Sequence, residues 1–208
     1  MIAVIDYDVG NLRSVAKALE RVGAAVAVSD DPTVIATADA VVLPGVGAFA
    51  RCMANLEAKG LRRSVHAAVD SGRPFLGICV GMQILFDESD EFGVVRGLGI
   101  VPGRVRRFRD FPPGLKIPHM GWNELNLQRR APHLAGVEGD ERFYFVHSYY
   151  VETEEDEIVA ATTDYGCEFV SAVWRDNLFA TQFHPEKSQA AGLELLANFV
   201  ALADKLRG

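Results

Sequence analysis

The chain has 208 residues, 49% of them hydrophobic and 24% charged, with a formal net charge of −7. Its length suits one domain, which we expect to cover residues 1–208, and its composition is that of an ordinary soluble globular protein. The excess of acidic residues argues against nucleic acid as the main partner, because phosphate binding needs a basic surface.

The cysteines and the N-terminus bear on the cellular compartment. Three cysteines are an odd and sparse number, which favours a reducing environment over a disulfide framework. No two of them form a C-x-x-C pair, so we expect no metal site, and we expect no cofactor. The first residues, MIAVIDYDVGN, suit neither a signal peptide nor a membrane span. We therefore expect a cytoplasmic protein that does not bind membranes.

The first half of the chain alternates between strand and helix patterns. Apolar runs predict buried strands at 2–5, 24–28, 40–43 and 74–78. Helices are predicted after Asn11, from Asp31-Pro32, and near 48–58, 60–71 and 80–87. This alternation predicts an α/β fold with a mostly parallel central sheet and helices on both faces.

The second half differs. Residues 99–183 hold many short strand-like runs and few helix patterns, which predicts an antiparallel extension of the sheet. The chain ends in one predicted helix, 190–206. The locally basic stretch 104–109 either forms a solvated face or meets an acidic partner or a phosphate.

Cys79 lies in the sequence GICVG, between a predicted strand and a predicted helix. This order fits a nucleophile elbow, in which flanking glycines permit a sharp turn that holds the nucleophile at its tip. The helix beginning at Val80 can offer its N–H to a developing oxyanion. The alternative is a small buried cysteine packed beneath a helix, which is the interpretation we give to Cys52 and Cys167.

A cysteine nucleophile needs a base, and His184 is the best-placed histidine. It ends the apolar run LFATQF and precedes Pro185, which favours an extended backbone. Side chains two apart on an extended chain share a side, so Glu186 can hold the imidazole. These residues predict a nucleophile, a base and an orienting carboxylate. We expect His66 and His133 to be ordinary surface residues.

The motifs GICVGMQ and TQFHPEKS resemble the class I glutamine amidotransferases, and the resemblance spans essentially the whole chain. It implies the flavodoxin-like fold of that class and a Cys-His-Glu triad. Further stretches resemble the glutaminase subunits of imidazole glycerol phosphate synthase, from histidine biosynthesis: IDYDVGNLRSV, LPGVGAF, PHMGWN and FVHSYY.

The resemblance also implies roles for residues outside the triad. A second oxyanion donor is expected at Val46 or Gly47, beside the Val80 N–H. Because a valine is unusual in a flexible glycine loop, one interpretation is that the Val46 peptide flips, so that the oxyanion hole forms only when a partner or effector arrives. Glutamine is expected to contact Gln83 and the strand carrying His147, Ser148 and Tyr149. His147 is also the rival candidate for the base.

The expected reaction is hydrolysis of glutamine through a cysteine thioester. The resemblance implies that the ammonia passes to a cyclase subunit with a (β/α)8-barrel fold, in a heterodimer. Candidate interface or gate residues are Lys187, Tyr144, Trp122 and Asn123. We expect Trp122 to lie in a polar loop, where it could be an interface anchor or instead a core plug.

Three alternatives stay open. The chain could be another class I glutaminase or a γ-glutamyl hydrolase, since the triad would be the same. It could be a nucleotide-binding module, because residues 45–50 match G-x-G-x-x-A, although they follow the third predicted strand. It could also be a catalytically inactive interaction subunit.

Overall fold

The computed structural model describes residues 1–109, 114–138 and 140–205. Its first half contains alternating strands and helices: β1 (Ile2–Ile5), α1 (Leu12–Arg21), β2 (Val26–Ser29), α2 (Pro32–Thr37), β3 (Ala40–Gly45), α3 (Phe49–Ala58), α4 (Arg62–Asp70), β4 (Phe75–Cys79) and α5 (Val80–Gln83).

The second half consists mainly of strands and ends in a helix: β5 (Phe86–Ser89), β6 (Val95–Arg96), β7 (Val101–Arg107), β8 (His119–Glu124), β9 (Asn126–Leu127), β10 (Arg142–His147), β11 (Tyr149–Glu152), β12 (Val159–Asp164), β13 (Glu168–Arg175), β14 (Leu178–Thr181) and α6 (Gln189–Lys205). The predicted end of the last helix, residue 206, lies outside the described residues.

The main sheet joins both halves. Its described strands run in the order β2-β1-β3-β4-β14-β13-β11-β7-β5-β6. Strand β12 also pairs with β13, and β9 pairs with β12. The pairs from β2 to β14 are parallel, whereas β13 pairs with β14 and β11 in antiparallel fashion. Order 2-1-3-4 followed by a fifth parallel strand is the flavodoxin-like arrangement, so the predicted fold class is confirmed.

Helices cover both faces of the parallel half of the sheet because the crossovers between its strands run in opposite directions. The chain steps from β1 outward to β2, then back across β1 to β3 and on to β4. Right-handed crossovers therefore place α1 on one face and α2, α3 and α4 on the other. In agreement, α1 contacts α6, whereas α2 contacts α4. Strands β1, β3, β4 and β14 are buried throughout their length and are apolar except for Thr181 at the end of β14.

The predicted helix over 80–87 is wrong beyond its first turn. Helix α5 ends at Gln83, and the apolar residues that follow enter strand β5, which pairs with β7 through the register Phe86↔Val101. A short apolar run fits a buried strand as well as a buried helix, and here the contact with β7 decides.

The antiparallel half contains a second, two-stranded sheet. Strands β8 and β10 pair in antiparallel register, with His119 opposite His147 and Trp122 opposite Tyr144. Strand β10 leads directly into β11 of the main sheet, so the small sheet lies beside the carboxyl end of β14. A backbone hydrogen bond from the His184 N–H to the Tyr144 carbonyl, 2.9 Å long, ties the two sheets together.

The basic stretch lies mostly on β7 and faces acidic partners. Arg104 and Arg106 both pair with Glu152 on β11, and Arg109 pairs with Asp90. The structure thus favours a solvated, charge-paired face. Among the described residues, no helix combines the length and apolar character needed to cross a membrane.

Candidate functional site

Cys79 is the last residue of β4, and its backbone is strained. It has φ 56° and ψ −113°, a conformation that side-chain-bearing residues rarely adopt. The following turn is too tight for a side chain, because a Cβ on Gly81 would lie 1.9 Å from the Leu43 carbonyl oxygen. Contact with β3 therefore explains the second glycine of GICVG, and the turn projects the sulfur from the carboxyl end of the sheet.

His184 reaches the same place from the neighbouring strand. Strand β14 pairs with β4 so that Thr181 lies opposite Ile78, which brings the residues after β14 beside Cys79. His184 is extended, with φ −104° and ψ 95°, and Pro185–Lys187 then form a 3₁₀ turn. That turn, and not strand alternation, folds Glu186 back toward the imidazole. The Glu186 Oε1 lies 2.8 Å from His184 Nδ1.

The contact with Glu186 sets the tautomer of His184. A carboxylate accepts, so Nδ1 donates and Nε2 is left for the sulfur. Nε2 is buried and finds no hydrogen-bond partner among the described residues. Burial alone would lower the pKa of His184, but the charge of the Cys79 sulfur and the contact with Glu186 outweigh it and raise that pKa to about 10. When the sulfur is ionised, its negative charge therefore favours the protonated form of His184.

A cavity of about 380 Å³ opens over Cys79 at the carboxyl ends of β1, β3, β4 and β14. This is where α/β sheets place their ligands. Most of the predicted site residues line it: Val46, Gly47, Cys79, Val80, Gln83, His147, Ser148, Tyr149, His184 and Lys187.

Two side chains form hydrogen bonds with the end of β3 and with the loop that follows it. The Tyr7 hydroxyl donates to the Pro44 carbonyl at 2.5 Å, and the Cys52 thiol donates to the Val46 carbonyl at 3.6 Å. Burial raises the pKa of Tyr7 well above its ordinary value and that of Cys52 to about 11, so both stay protonated donors. Because C=O and N–H point oppositely in a trans peptide, the Gly47 N–H points away from Cys52 and is available to the cavity.

Gln83 makes its hydrogen bonds inside the protein. Its Nε2 donates to the Tyr149 carbonyl at 3.0 Å and to Gln182 Oε1 at 2.9 Å. Both amide protons are therefore used, which leaves the side-chain oxygen of Gln83 as the group that could accept from a ligand.

Both ring nitrogens of His147 are also used. Nδ1 lies 2.8 Å from the Tyr149 carbonyl, which can only accept, so Nδ1 carries the proton. Nε2 therefore accepts from His119 Nδ1, 3.0 Å away. Burial lowers the pKa of His147 to about 3 and that of His119 to about 4, so the pair is neutral. This geometry favours His184 over His147 as the base.

One candidate interface residue, Lys187, lines the cavity. The Lys187 ammonium lies 5.6 Å from the centroid of the Tyr144 ring, which meets the Trp122 ring edge-on at 5.9 Å. Trp122 lies on β8 and not in a loop, and it is 44% exposed, so it is not a core plug. The Asn123 amide donates to the Asp164 carbonyl at 2.8 Å and also approaches His119.

Sequence reasoning missed three residues at the site. Glu91 lines the cavity and accepts from the Phe49 N–H at 2.7 Å. Asn11 also lines the cavity and makes no side-chain capping bond to α1. The Gln182 amide lies 3.7 Å from the Cys79 sulfur. Gln182 could have been noticed from its place in TQFHPE, whereas nothing local singles out Glu91.

His133 corrects a further expectation. It is 2% exposed, and its ring stacks on Phe179 at a centroid distance of 4.3 Å. The surface prediction was wrong because residues 132–134 form a 3₁₀ turn that packs against α6. Over residues 1–109, 114–138 and 140–205, no group of three or more His, Cys, Asp or Glu side chains could hold a metal ion.

Comparison with known proteins places this geometry in a family. The profile of the family described as glutamine amidotransferase class-I matches residues 3–203. The chain is 57% identical over 207 residues to the imidazole glycerol phosphate synthase subunit HisH of Syntrophotalea carbinolica, covering 96% of this chain and 98% of that protein. It is 54% identical to the subunit HisH of Methanothermobacter thermautotrophicus, covering 97% of this chain and 98% of that protein.

Solved structures share the fold at low sequence identity. A crystal structure described as glutamine amidotransferase superposes with a TM-score of 0.74 at 19% identity, covering 98% of this chain and 100% of that one. The glutaminase domain of CTPS from Trypanosoma brucei, solved with bound acivicin, gives a TM-score of 0.71 at 19% identity, covering 98% of this chain and 93% of that one. The family profile and the relatives more than half identical over nearly their whole length lead to one conclusion: the chain belongs to the class I glutamine amidotransferases.

Proposed function

We propose that this protein is the glutaminase subunit of an imidazole glycerol phosphate synthase. It hydrolyses glutamine to glutamate and ammonia and passes the ammonia to a cyclase subunit in histidine biosynthesis. The observation that carries this proposal is the strained Cys79 beside the His184–Glu186 pair, over a cavity of about 380 Å³. The similarity to subunits named HisH supports the particular synthase.

In the proposed reaction, the Cys79 thiolate attacks the carboxamide carbon of glutamine, and the carbonyl electrons move onto oxygen. His184 donates its proton to the leaving nitrogen as the C–N bond breaks, and ammonia departs. Water, deprotonated by His184, then attacks the γ-glutamyl thioester and releases glutamate and the thiolate. Glu186 holds the imidazole in the tautomer that both steps need.

The oxyanion is stabilised by backbone N–H groups. Val80 supplies one donor, since it begins α5 directly after Cys79. Val46 or Gly47 supplies the second, and the orientation of the Val46 carbonyl toward Cys52 favours Gly47 in the free subunit. Losing one such donor costs about 2.7–4 kcal/mol in serine-protease precedents. On assembly, a flip of the peptide between Gly45 and Val46 would instead present the Val46 N–H, and that donor would depend on the partner.

The amino-acid end of glutamine meets polar groups on the cavity wall. Glu91 offers a carboxylate to the α-ammonium group, and the Gln83 oxygen is a second acceptor. Ser148 and Tyr149 complete the wall on the antiparallel side. No cofactor or metal takes part in this reaction.

The partner is a cyclase subunit with a (β/α)8-barrel fold, which forms a heterodimer with this chain. The exposed side chains of Met120 and Trp122 lie on the strand paired with Tyr144, next to Lys187 at the cavity. An exposed tryptophan suits an interface anchor. Passage of ammonia through this contact keeps it away from bulk water and from protonation. We place the complex in the cytoplasm.

The decisive experiment measures glutamate released from glutamine by the free chain and by the chain mixed with a barrel cyclase and its ligand. The Cys79→Ala variant in the same complex is the matched control. We expect Cys79-dependent release that the cyclase stimulates. Equal rates with and without the cyclase would contradict the peptide flip. No release under either condition, together with no labelling of Cys79 by a glutamine-analogue electrophile, would overturn the proposed function.

A further inference from the structure

Gln182 lies beside the nucleophile and is completely buried. It follows β14, whose register with β4 places it next to Cys79. Its backbone N–H donates to the Ser171 carbonyl at 2.8 Å, which holds the main chain. Its side-chain Nε2 lies 3.7 Å from the Cys79 sulfur, a donor distance suited to the large sulfur atom.

The orientation of the Gln182 amide is fixed by its neighbours. The Tyr149 carbonyl can only accept, so the NH₂ group of Gln83 must face it. The second proton of that NH₂ group points at Gln182, so the oxygen of Gln182 faces Gln83. The nitrogen of Gln182 is consequently the end that faces Cys79. An amide flip at either glutamine would set like groups against each other.

The Tyr149 carbonyl oxygen accepts a second hydrogen bond, and the direction of that bond is also fixed. It also accepts from His147, which accepts in turn from His119. Since both histidines are neutral at neutral pH, each ring nitrogen keeps its role as donor or acceptor. The direction of the Gln182 amide is thus determined by Gln83, whose own direction is set by the Tyr149 carbonyl.

From this geometry we propose that Gln182 is a further catalytic residue, which donates a hydrogen bond to the Cys79 sulfur and stabilises its thiolate. The proposal rests on the function argued above and adds a contact to the reacting atom. A hydrogen bond to a charged acceptor is stronger than one to a neutral thiol, so the contact favours the ionised nucleophile. Unlike His184, an amide gains or loses no proton between pH 5 and 10, so its contribution does not depend on its own ionisation.

The contact matters twice in the reaction. It raises the fraction of Cys79 present as thiolate before attack on glutamine. When the thioester is hydrolysed, the sulfur leaves as a thiolate again, and the same donor receives the returning charge. In the thioester the sulfur carries no charge, so the hydrogen bond is weakest there.

The test uses Gln182→Met, which keeps an unbranched side chain of similar length and removes the donor. Thr181→Val is the matched control: Thr181 is the adjacent residue, equally buried, and its hydroxyl bonds the Phe183 carbonyl at 2.9 Å without touching Cys79. The measurement is the rate of Cys79 alkylation by iodoacetamide between pH 5 and 10, followed by mass spectrometry of the Cys79 peptide so that Cys167 does not interfere.

We expect alkylation of Cys79 at pH 7 to be about 10- to 100-fold slower in Gln182→Met, the effect of losing a hydrogen bond to a charged group. The pH midpoint of the reaction should rise, and the rates should converge at high pH, where every sulfur is ionised. Thr181→Val should keep the wild-type profile even where it unfolds more easily. If the two variants give the same profile, the proposal is overturned.

A second variant covers the case in which Gln182→Met does not fold. Gln83→Met leaves Gln182 in place but removes the donor that orients it, so the pH midpoint should rise by a smaller amount, and an unchanged midpoint would overturn the proposal. Alkylation needs neither glutamine nor the cyclase. A chain that shows the Gln182 effect, but neither releases glutamate from glutamine nor is labelled by a glutamine-analogue electrophile, would refute the proposed function and leave only the hydrogen bond from Gln182 to the Cys79 thiolate.

Discussion

The parallel and antiparallel halves of the sheet hold their parts of the site in different ways. In the parallel half, backbone geometry positions Cys79, through its positive φ and the close approach of Gly81 to the Leu43 carbonyl. In the antiparallel half, side-chain hydrogen bonds among His119, His147 and the Tyr149 carbonyl form the opposite wall.

This difference predicts that one half serves mainly the chemical step and the other mainly substrate binding. A nucleophile must be held rigidly at one point, and a strained turn between two buried strands does so without relying on a side chain. A wall that binds the amino-acid end of a substrate can be built from neutral polar groups. Substitutions in the two halves should therefore separate into effects on the chemical step and effects on binding.

The largest expected effect tests that separation directly. His184→Ala removes the base and should lower kcat for glutamine hydrolysis by about 10³-fold or more. His147→Phe keeps a buried ring but removes the support of the Tyr149 carbonyl, so it should raise KM by about 3- to 30-fold and leave kcat within about 3-fold. Steady-state kinetics of the assembled complex gives both values. A loss of kcat in His147→Phe and an increase in KM alone in His184→Ala would exchange the two roles.

The rigidity of the parallel half predicts the next effect. Gly81→Ala places a Cβ against the Leu43 carbonyl, and the buried backbone there cannot move aside. We expect the free energy of unfolding to fall by about 3 kcal/mol or more, measured by urea denaturation. Gly60→Ala is the control, because that glycine has φ 67° but no atom within 4 Å of its Cβ position. Gly60→Ala should lower the free energy of unfolding by about 1–2 kcal/mol. Equal losses in the two variants would show that contact with the Leu43 carbonyl is not the cause.

How far the sequence predicted the molecule also differs between the halves. The strands around 2–5, 40–43 and 74–78 depend on residues close together in the chain, so apolar runs were sufficient to place them. Glycine spacing was sufficient to indicate the turn at Cys79, although the contact that requires Gly81 is with the distant Leu43 carbonyl. Strand β5 was taken for helix because its partner β7 begins 15 residues after β5 begins, and only that pairing distinguishes the two.

The parts that could not be predicted depend on distant contacts. Gln83 and Gln182 meet across 99 positions, and Glu91 is placed at the cavity by the backbone of Phe49, 42 positions away. His133 follows the same rule, since its burial comes from Phe179 and α6. No local pattern reports such contacts, whereas His184 and Glu186 are two positions apart and were found together.

The electrostatic link between Cys79 and His184 gives a third prediction. Cys79→Ala removes the sulfur charge that raises the pKa of His184, while burial continues to lower it. The imidazole should then titrate at least about one pH unit below its wild-type value of about 10. NMR of the ¹⁵N-labelled ring measures this, with His147 as the internal control, since burial keeps its pKa at about 3 in both proteins. An unchanged titration of His184 would show that Glu186 alone sets its pKa.

The smallest expected effect concerns the end of β3 and the loop that follows it at the cavity. Tyr7→Phe removes the hydroxyl that bonds the Pro44 carbonyl and keeps the buried ring, so unfolding should become easier by about 1 kcal/mol. A looser loop presents the Gly47 N–H less often, so glutamine hydrolysis by the free chain should slow by up to about 10-fold. The complex should slow less, because contacts with the cyclase then position the loop. Tyr150→Phe is the control, since that hydroxyl bonds only Glu152 at 3.4 Å among the described residues. Equal slowing of free and assembled Tyr7→Phe would mean that the partner does not act on this loop.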